Sequence, residues 1–226
     1  MRHRLLIVVA LVAATLVAIG LAGVDYPLAR WVQGSGIENV GVFRHGLEAL
    51  DTVFGLTIWY WLAGTLSVAF GVIALLPMLR IPRRLAVALL VAGIVQFATL
   101  QTMIQMKGYF GRLRPHQVFD SGDWNVIWHA GGGSFPSGHS AFYFGLLLPL
   151  AAFAGRCWQR ALLLAIPLFA VIARIDMSMH FLSDVSMSAL IAATYALLAT
   201  WLVRAPVASS IERSCKALQS ARRPRD

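Results

Sequence analysis

Basic and imidazole side chains at the ends of apolar segments are the residues of this chain best suited to chemistry. They form three blocks: Lys107, Arg114 and Pro115; Pro136-Ser137-Gly138-His139; and Arg174, His180 and Asp184. Cationic side chains bind phosphate oxygens, and an imidazole can attack phosphorus or transfer a proton. No four-ligand cluster with metal-site spacing accompanies them, so we expect no metal and no other cofactor. The three blocks predict a site that handles a phosphate group.

His180 and Asp184 are the predicted nucleophile and its orienting carboxylate. They are four residues apart, which on a helix places both side chains on one face. A carboxylate there accepts a hydrogen bond from one imidazole nitrogen and leaves the other nitrogen free to attack. The alternative is a helix-end ion pair. The cost of a carboxylate inside a membrane span favours the catalytic interpretation.

Lys107 and Arg114 are predicted to bind phosphate oxygens together. They are seven residues apart, which is two helical turns, so they share one face if the helix continues until Pro115 ends it. Two cations on one face can clamp a phosphate. The alternative for each is a cation that anchors a helix at the lipid surface. Arg112 lies off this face, and we interpret it as such an anchor.

Two further elements complete the predicted phosphate site. Ser137 is a predicted helix N-cap, and the free N–H groups after it form an anion site that Gly138 lets a ligand approach. His139 could protonate a leaving oxygen. Arg174 follows Arg160 by only fourteen positions, so we expect it below the outer surface, where a phosphate partner would offset the cost of its charge. The alternatives are an ordinary capped helix start and a surface anchor.

The composition indicates an integral membrane protein. Of the 226 residues, 58% are hydrophobic and 13% are charged, whereas soluble domains are about half apolar and about a quarter charged. The net charge of +9 comes from basic residues in short segments between apolar runs, which favours contact with anionic lipid over nucleic acid. Six apolar stretches are predicted transmembrane helices, because open strands leave backbone groups unsatisfied in lipid. They are 4–24, 52–79, 85–106, 139–155, 161–177 and 183–203.

The basic residues also predict an orientation. If six spans alternate, thirteen of the nineteen Lys and Arg residues fall on one side, which places both termini in the cytoplasm. The outer ends of the third to sixth helices then carry the three blocks. The first stretch follows basic residues, as the apolar core of a signal peptide does. Such cores are about 7–15 residues long and this stretch is longer, so we expect a retained span. We predict an all-α, six-helix membrane domain over 1–204 and a basic cytoplasmic tail over 205–226.

The three blocks together resemble the signature of a known family. Lys107-x6-Arg114-Pro115, Pro136-Ser137-Gly138-His139 and Arg174-x5-His180-x3-Asp184 are similar to the three motifs of the type 2 phosphatidic acid phosphatase superfamily. That superfamily includes membrane lipid phosphatases, bacterial acid phosphatases, glucose-6-phosphatase and vanadium haloperoxidases. Six spans fit its membrane branch. One departure is Ala173, where the third motif usually has Ser.

The resemblance implies a role for each motif residue. His180 attacks phosphorus and forms a phosphohistidine, Asp184 orients it, and His139 protonates the leaving oxygen and then activates water. The phosphate oxygens are bound by Lys107, Arg114, Arg174, Ser137 and the Gly138 N–H. No metal is implied, and the chemistry depends on cations and N–H groups directed at the developing charge.

The expected activity is that of a lipid phosphatase in a bacterial inner membrane, with its site facing the periplasm or exterior. The candidate substrates are undecaprenyl diphosphate, phosphatidylglycerol phosphate, phosphatidic acid and lipid A phosphate. Two alternatives remain open: a lipid-linked phosphotransferase, and a non-catalytic lipid-binding or transport protein. The expected partners are the substrate lipid and the bilayer, and no nucleic acid.

Overall fold

The computed structural model describes residues 3–36 and 40–221, and the regular structure in this part of the chain is entirely helical. The α-helices are α1 His3–Ile19, α2 Asp25–Gly34, α3 Gly41–Val53, α4 Leu62–Ile73, α5 Arg83–Phe110, α6 Pro115–Ser121, α7 Gly138–Phe153, α8 Cys157–Asp176 and α9 Leu182–Ala221. A π-helical turn, Gly20–Val24, joins α1 to α2, and a 3₁₀ turn, Pro77–Leu79, precedes α5. The predicted all-α class is confirmed. The predicted tail begins within α9, and residues 222–226 lie outside the described residues.

Four helical stretches are long and apolar enough to cross a membrane, which indicates a membrane protein. They are His3–Gly34, Arg83–Ser121, Cys157–Asp176 and Leu182–Val203. The helices α4 and α7 are apolar but shorter. Large apolar side chains on these helices remain exposed, as on Leu11, Phe70 and Trp201. Such side chains suit a lipid environment.

The prediction of one continuous helix over 52–79 is wrong. The helix α3 ends at Val53, residues 54–61 form turns, and α4 begins at Leu62. Gly55 has a φ of 75°, in the left-handed region that favours glycine, and a Cβ added there would lie 2.6 Å from the Leu62 side chain. Hydropathy does not distinguish such a turn from a helix, because the residues on both sides are equally apolar.

The helix α7 forms the centre of the bundle and packs against α5, α8 and α9. Almost all of its side chains are buried, including Phe142, Tyr143 and Leu148, each 0% exposed. Gly145 lets α5 approach closely, since a Cβ there would lie 3.0 Å from the Gln96 Cα. Small residues at helix contacts have this effect in membrane bundles. The start of α7 is therefore fixed between its neighbours.

The connection between α5 and α7 brings the first two blocks together, but not as predicted. The helix α5 ends at Phe110, and Gly111 adopts a left-handed conformation. Lys107 and Arg114 therefore do not share a helix, and Pro115 begins α6 instead of ending α5. The prediction of one helical face is wrong because the sequence spacing gave no sign of the break at Gly111.

The segment leading into α7 folds back along residues 110–113. The Leu113 N–H donates to the Ile127 carbonyl at 2.8 Å, and the Ser134 N–H donates to the Arg112 carbonyl at 2.8 Å. A Cβ added at Gly132 would lie 2.3 Å from that Arg112 carbonyl oxygen, so only glycine permits this approach. This pairing places Ser134 beside the third block.

Candidate active site

His180 lies between α8 and α9 and is 3% exposed. Its Nδ1 is 2.9 Å from the Ser134 carbonyl oxygen and 3.7 Å from the Asp184 carboxylate. A carbonyl oxygen only accepts, so Nδ1 carries the hydrogen and Nε2 keeps its lone pair. The hydrogen-bond acceptor is thus the Ser134 carbonyl, instead of the predicted carboxylate. Since α9 begins at Leu182, the predicted arrangement of the pair on one helical face is also wrong.

Asp184 organises the surroundings of His180. Its carboxylate is 0% exposed and accepts hydrogen bonds from the Ser134 hydroxyl and the Phe181 N–H, and it pairs with Arg112 at 2.6 Å. It therefore fixes Ser134, which holds the imidazole through its carbonyl, and the backbone that follows His180. Asp184 orients His180 through these contacts as well as by its charge.

Burial keeps the His180 imidazole neutral. Removal from water lowers the pKa of His180 to about 3, and the positive charges of Arg174 and Lys107 act in the same direction, while Asp184 acts in the opposite one. The folded-state pKa lies below the ordinary value of about 6.5, so the free base predominates at neutral pH. Nε2 is therefore available as a nucleophile.

His139 lies in the first turn of α7 and contacts a residue that the sequence analysis did not identify. Its Nε2 is 3.0 Å from Asp51 Oδ2 on α3, and the other Asp51 oxygen accepts a hydrogen bond from the Tyr143 hydroxyl. Asp51 directly precedes an apolar stretch, and a carboxylate at that position was the only signal available in the sequence. Its partner is 88 residues away.

Lys107, Arg114 and Arg174 form a cationic cluster around the two imidazoles. Lys107 and Arg174 interact electrostatically with both His139 and His180, and Arg114 interacts with both of the other cations. Within residues 3–36 and 40–221, none of the three cations forms a salt bridge. Like charges gathered without a carboxylate partner favour a bound anion.

Arg174 is a buried cation whose hydrogen-bonding groups are not all satisfied within the described residues. It is 7% exposed, and its Nε has no hydrogen-bond partner in the described part of the chain. A buried guanidinium nitrogen without an acceptor is costly. Phosphate oxygens would supply the missing acceptors.

Ser137 and Gly138 start α7, as predicted, and are both buried. The Ser137 side chain makes no capping bond, and its hydroxyl oxygen accepts a hydrogen bond from the Ser140 hydroxyl at 3.2 Å. The backbone N–H of Ser137 donates to the Asp184 carbonyl at 3.0 Å. A Cβ added at Gly138 would lie 2.6 Å from the Tyr60 hydroxyl. Tyr60 thus reaches the helix N-terminus next to His139.

The interpretation of Arg112 as a surface anchor is wrong. Arg112 is 2% exposed and forms ion pairs with Asp25 at 2.8 Å and Asp184 at 2.6 Å. Its guanidinium carbon lies 4.6 Å and 4.1 Å from the ring centroids of Trp128 and Phe181. The negative charges of Asp25 and Asp184 balance it, unlike the three site cations. Its function is structural.

Replacing Arg112 with alanine is expected to destabilise the fold strongly. The substitution leaves Asp25 and Asp184 buried without their cation, and breaking a buried pair in this way costs about 3–5 kcal/mol. The free energy of unfolding in detergent, measured by denaturant titration, checks this. Arg44→Ala is the control, because its pair with Glu48 is exposed and contributes at most about 1 kcal/mol. Equal stability of the two variants would contradict the structural role of Arg112.

Metal ligands are not gathered in the described residues. No group of three or more His, Cys, Asp or Glu side chains in this part of the chain is arranged to hold a metal ion. Ala173, the departure from the third motif, is 0% exposed and packs in an apolar cluster with Leu100 and Phe142.

The fold indicates a helical membrane protein, and its cationic site with two imidazoles is suited to a phosphate. A family model described as the PAP2 superfamily matches residues 82–207, and the chain belongs to this superfamily. The resemblance inferred from the three motifs is confirmed. Comparisons with curated proteins and with solved structures gave no match. The motif residues all lie within the matched segment, whereas Asp25 and Asp51 precede it.

Proposed function

We propose that this protein is a phosphatase that hydrolyses a phosphate monoester or diphosphate on a membrane lipid through a phosphohistidine. Membership of the PAP2 superfamily suggests phosphatase activity on phosphate esters. The observation that carries the proposal is the buried, neutral His180, whose Nδ1 donates to a carbonyl and so leaves Nε2 free, together with Lys107 and Arg174, which form no salt bridge within the described residues. That combination suits attack on a bound phosphoryl group.

In the first step, His180 Nε2 attacks phosphorus as the bond to the leaving oxygen breaks. The positive charge that develops on the imidazole is stabilised by Asp184 and by the Nδ1–H bond to the Ser134 carbonyl. His139 gives a proton to the leaving oxygen. Lys107, Arg114 and Arg174 bind the phosphoryl oxygens, over which charge is spread in the transition state.

In the second step, water attacks the phosphohistidine. His139, now neutral, accepts a proton from that water, and the bond between phosphorus and Nε2 breaks. The products are inorganic phosphate and the starting enzyme, in which His139 is protonated and His180 is neutral. Ser137 and the Gly138 N–H would contribute donors at the start of α7.

An apolar groove lined by the residues on either side of Tyr60 suits a lipid substrate. The groove has a volume of about 570 Å³ and is lined by Trp59, Trp61, Phe97, Ala98 and Gln101. Trp59 and Trp61 flank Tyr60, whose hydroxyl lies against Gly138. We assign this groove to the hydrocarbon chain of the substrate, with the phosphate at the cationic cluster. Aromatic side chains of this kind are typical of the membrane interface.

The site is proposed to face the periplasm or cell exterior of a bacterial inner membrane. Its residues come from the C-terminal ends of α5 and α8 and the N-terminal ends of α7 and α9, which alternate in direction. With α1, α4, α5, α7, α8 and α9 as six spans, the excess of basic residues at the opposite ends favours a cytoplasmic location for both termini. In this arrangement residues 1–204 form the membrane domain, and 205–226 form the basic cytoplasmic tail.

A phosphate-release panel tests the proposed function. We expect the detergent-purified protein to release inorganic phosphate from at least one of undecaprenyl diphosphate, phosphatidylglycerol phosphate, phosphatidic acid and lipid A phosphate. Release should persist in excess chelator and should be inhibited by vanadate, which mimics the phosphoryl group in transfer. Activity that the chelator abolishes and a divalent metal restores would contradict the mechanism. Transfer of labelled phosphate to an acceptor in place of water would indicate a phosphotransferase.

A further inference from the structure

We infer that Asp51 is the positioning residue for His139 and selects the imidazole nitrogen that serves the reaction. The inference rests on the proposed function. Asp51 lies on α3, outside the segment that matches the superfamily, and none of the three motifs contains it. The pairing is therefore contributed by a part of this chain that the family signature does not cover.

Both oxygens of the Asp51 carboxylate are engaged in the bundle interior. Oδ2 is 3.0 Å from His139 Nε2, and Oδ1 accepts a hydrogen bond from the Tyr143 hydroxyl at 2.7 Å. The Asp51 side chain is 12% exposed. His139 and Tyr143 are one turn apart on α7, so the carboxylate bridges two side chains on one face of that helix. This geometry fixes the carboxylate relative to the imidazole.

The position of Asp51 follows from the packing of α3. Gly46 faces Phe169 on α8 so closely that a Cβ added there would lie 2.6 Å from the Phe169 ring, and Leu47 is 3% exposed. At the end of α3, the Asp51 carbonyl accepts the Leu56 N–H at 2.8 Å. The turn over 54–61 therefore holds the last turn of α3, and the carboxylate with it, against α7.

The pairing assigns opposite nitrogens to the two imidazoles. The carboxylate of Asp51 accepts the hydrogen on His139 Nε2, which leaves Nδ1 to exchange protons with the substrate and water. At His180 the arrangement is reversed, since Nδ1 donates to the Ser134 carbonyl and Nε2 remains free. A carboxylate that fixes the tautomer of a proton-transfer histidine in this way is a known device of catalysis.

Asp51 also opposes the cations that act on His139. Lys107 and Arg174 act on this imidazole with their positive charge, and the Asp51 carboxylate, 3.0 Å from Nε2, opposes them. In the proposed reaction, His139 begins with hydrogens on both nitrogens and gives the Nδ1 proton to the leaving oxygen. It recovers a proton at Nδ1 from the attacking water, while the Nε2 hydrogen stays in place and Asp51 remains a carboxylate.

The test compares leaving groups in Asp51→Asn. An alkyl phosphate needs a proton on its leaving oxygen, whereas p-nitrophenolate leaves without one. We expect Asp51→Asn to lower steady-state turnover of the alkyl lipid phosphate by about 10²-fold or more. With p-nitrophenyl phosphate, we expect an initial burst of nitrophenolate equal to the enzyme concentration, followed by slow turnover. The turnover is slow because the second step, in which His139 activates water, remains impaired without the Asp51 carboxylate. A purely structural role would lower the turnover of both substrates and give no burst.

Three variants control the experiment. Glu48→Gln removes an exposed carboxylate one turn earlier on α3 and should keep wild-type turnover. His139→Ala should show the same leaving-group dependence as Asp51→Asn. Tyr143→Phe removes the hydrogen bond to Asp51 Oδ1 but keeps the carboxylate charge. It should therefore show the same dependence on the leaving group, with a smaller loss of turnover. If Asp51→Asn has a lowered thermal midpoint in detergent, the result with Tyr143→Phe decides whether Asp51 positions His139 or only supports the fold.

The outcomes separate this inference from the proposed function. A wild-type protein that releases no phosphate from any substrate overturns the proposed function. An active wild type with an unchanged Asp51→Asn, or with lowered turnover but no nitrophenolate burst in Asp51→Asn and Tyr143→Phe, overturns the inference alone. Lowered turnover of the alkyl phosphate together with a nitrophenolate burst supports it.

Discussion

His180→Ala is expected to lower phosphate release by at least about 10⁴-fold, the scale of loss for removal of a covalent nucleophile. His139, the other imidazole on which these cations act, pairs with Asp51 through Nε2 and has the proton-transfer role in the proposed reaction. The loss should appear in kcat, since the proposed phosphate-binding residues Lys107, Arg114 and Arg174 remain. Steady-state assays with the lipid that the panel identifies as substrate give this value.

His45→Ala is the matched control for this prediction. His45 lies on α3 with an exposed side chain that contacts Glu48, away from the buried site. We expect its turnover to equal that of the wild type, and both variants should keep the wild-type thermal midpoint in detergent within a few degrees. A His180→Ala protein that retains a tenth of the wild-type turnover would exclude His180 as the nucleophile.

Arg174→Ala is expected to lower kcat/KM by about 10³-fold, because it removes a desolvated cation from the transferred phosphoryl group. Arg174 acts electrostatically on both imidazoles, so in the proposed reaction it is near the charge that develops in each step. Its Nε lacks a partner in the described residues, and the side chain forms no salt bridge there. The alanine variant should therefore be as stable as the wild type or more so.

Arg160→Ala provides the comparison on the same helix. Arg160 lies near the other end of α8, where it donates to the carbonyl oxygens of Ala154 and Gly155. We expect wild-type kcat/KM for this variant. An Arg174→Ala protein with lower stability and a proportionate loss of activity would mean that Arg174 supports the fold, and the phosphate-binding role would be wrong.

Local sequence patterns predicted the helices well where hydropathy and helix length agree. The stretches 85–106 and 183–203 correspond to α5 and the first part of α9, because a long apolar run in lipid has only a helical solution. The stretch 52–79 failed because a turn at Gly55 is as apolar as the helices around it. Hydropathy reports burial in lipid, and it does not report the backbone conformation of a single glycine.

The motif residues could be selected from the sequence because each has an unusual position for its type. Ionisable side chains at the ends of apolar runs cost free energy because they lie close to lipid, so they indicate a functional role. Three motif residues have this position: Arg174, His180 and Asp184. The supporting residues have no such signature. Asp25 pairs with Arg112 across 87 positions and Asp51 pairs with His139 across 88, and no local spacing encodes either contact.

The burial of Arg112 could not be predicted from the local sequence. A cation near the end of an apolar helix looks the same in sequence whether it reaches the lipid surface or is buried between two carboxylates. The difference depends on Asp25 and Asp184, which reach Arg112 only through tertiary packing. The same applies to Ser134, whose carbonyl sets the tautomer of His180.

Isolation of the phosphorylated enzyme during turnover tests the proposed role of His180 most directly. Rapid mixing with substrate, a quench in alkali and mass spectrometry of the peptides should show one phosphate on His180, at Nε2. The modification should be labile to acid, as expected for a phosphorus–nitrogen bond, and absent from His180→Ala. Phosphate on any other residue, or turnover with no phosphorylated enzyme at any time, would contradict the proposal that His180 is the nucleophile.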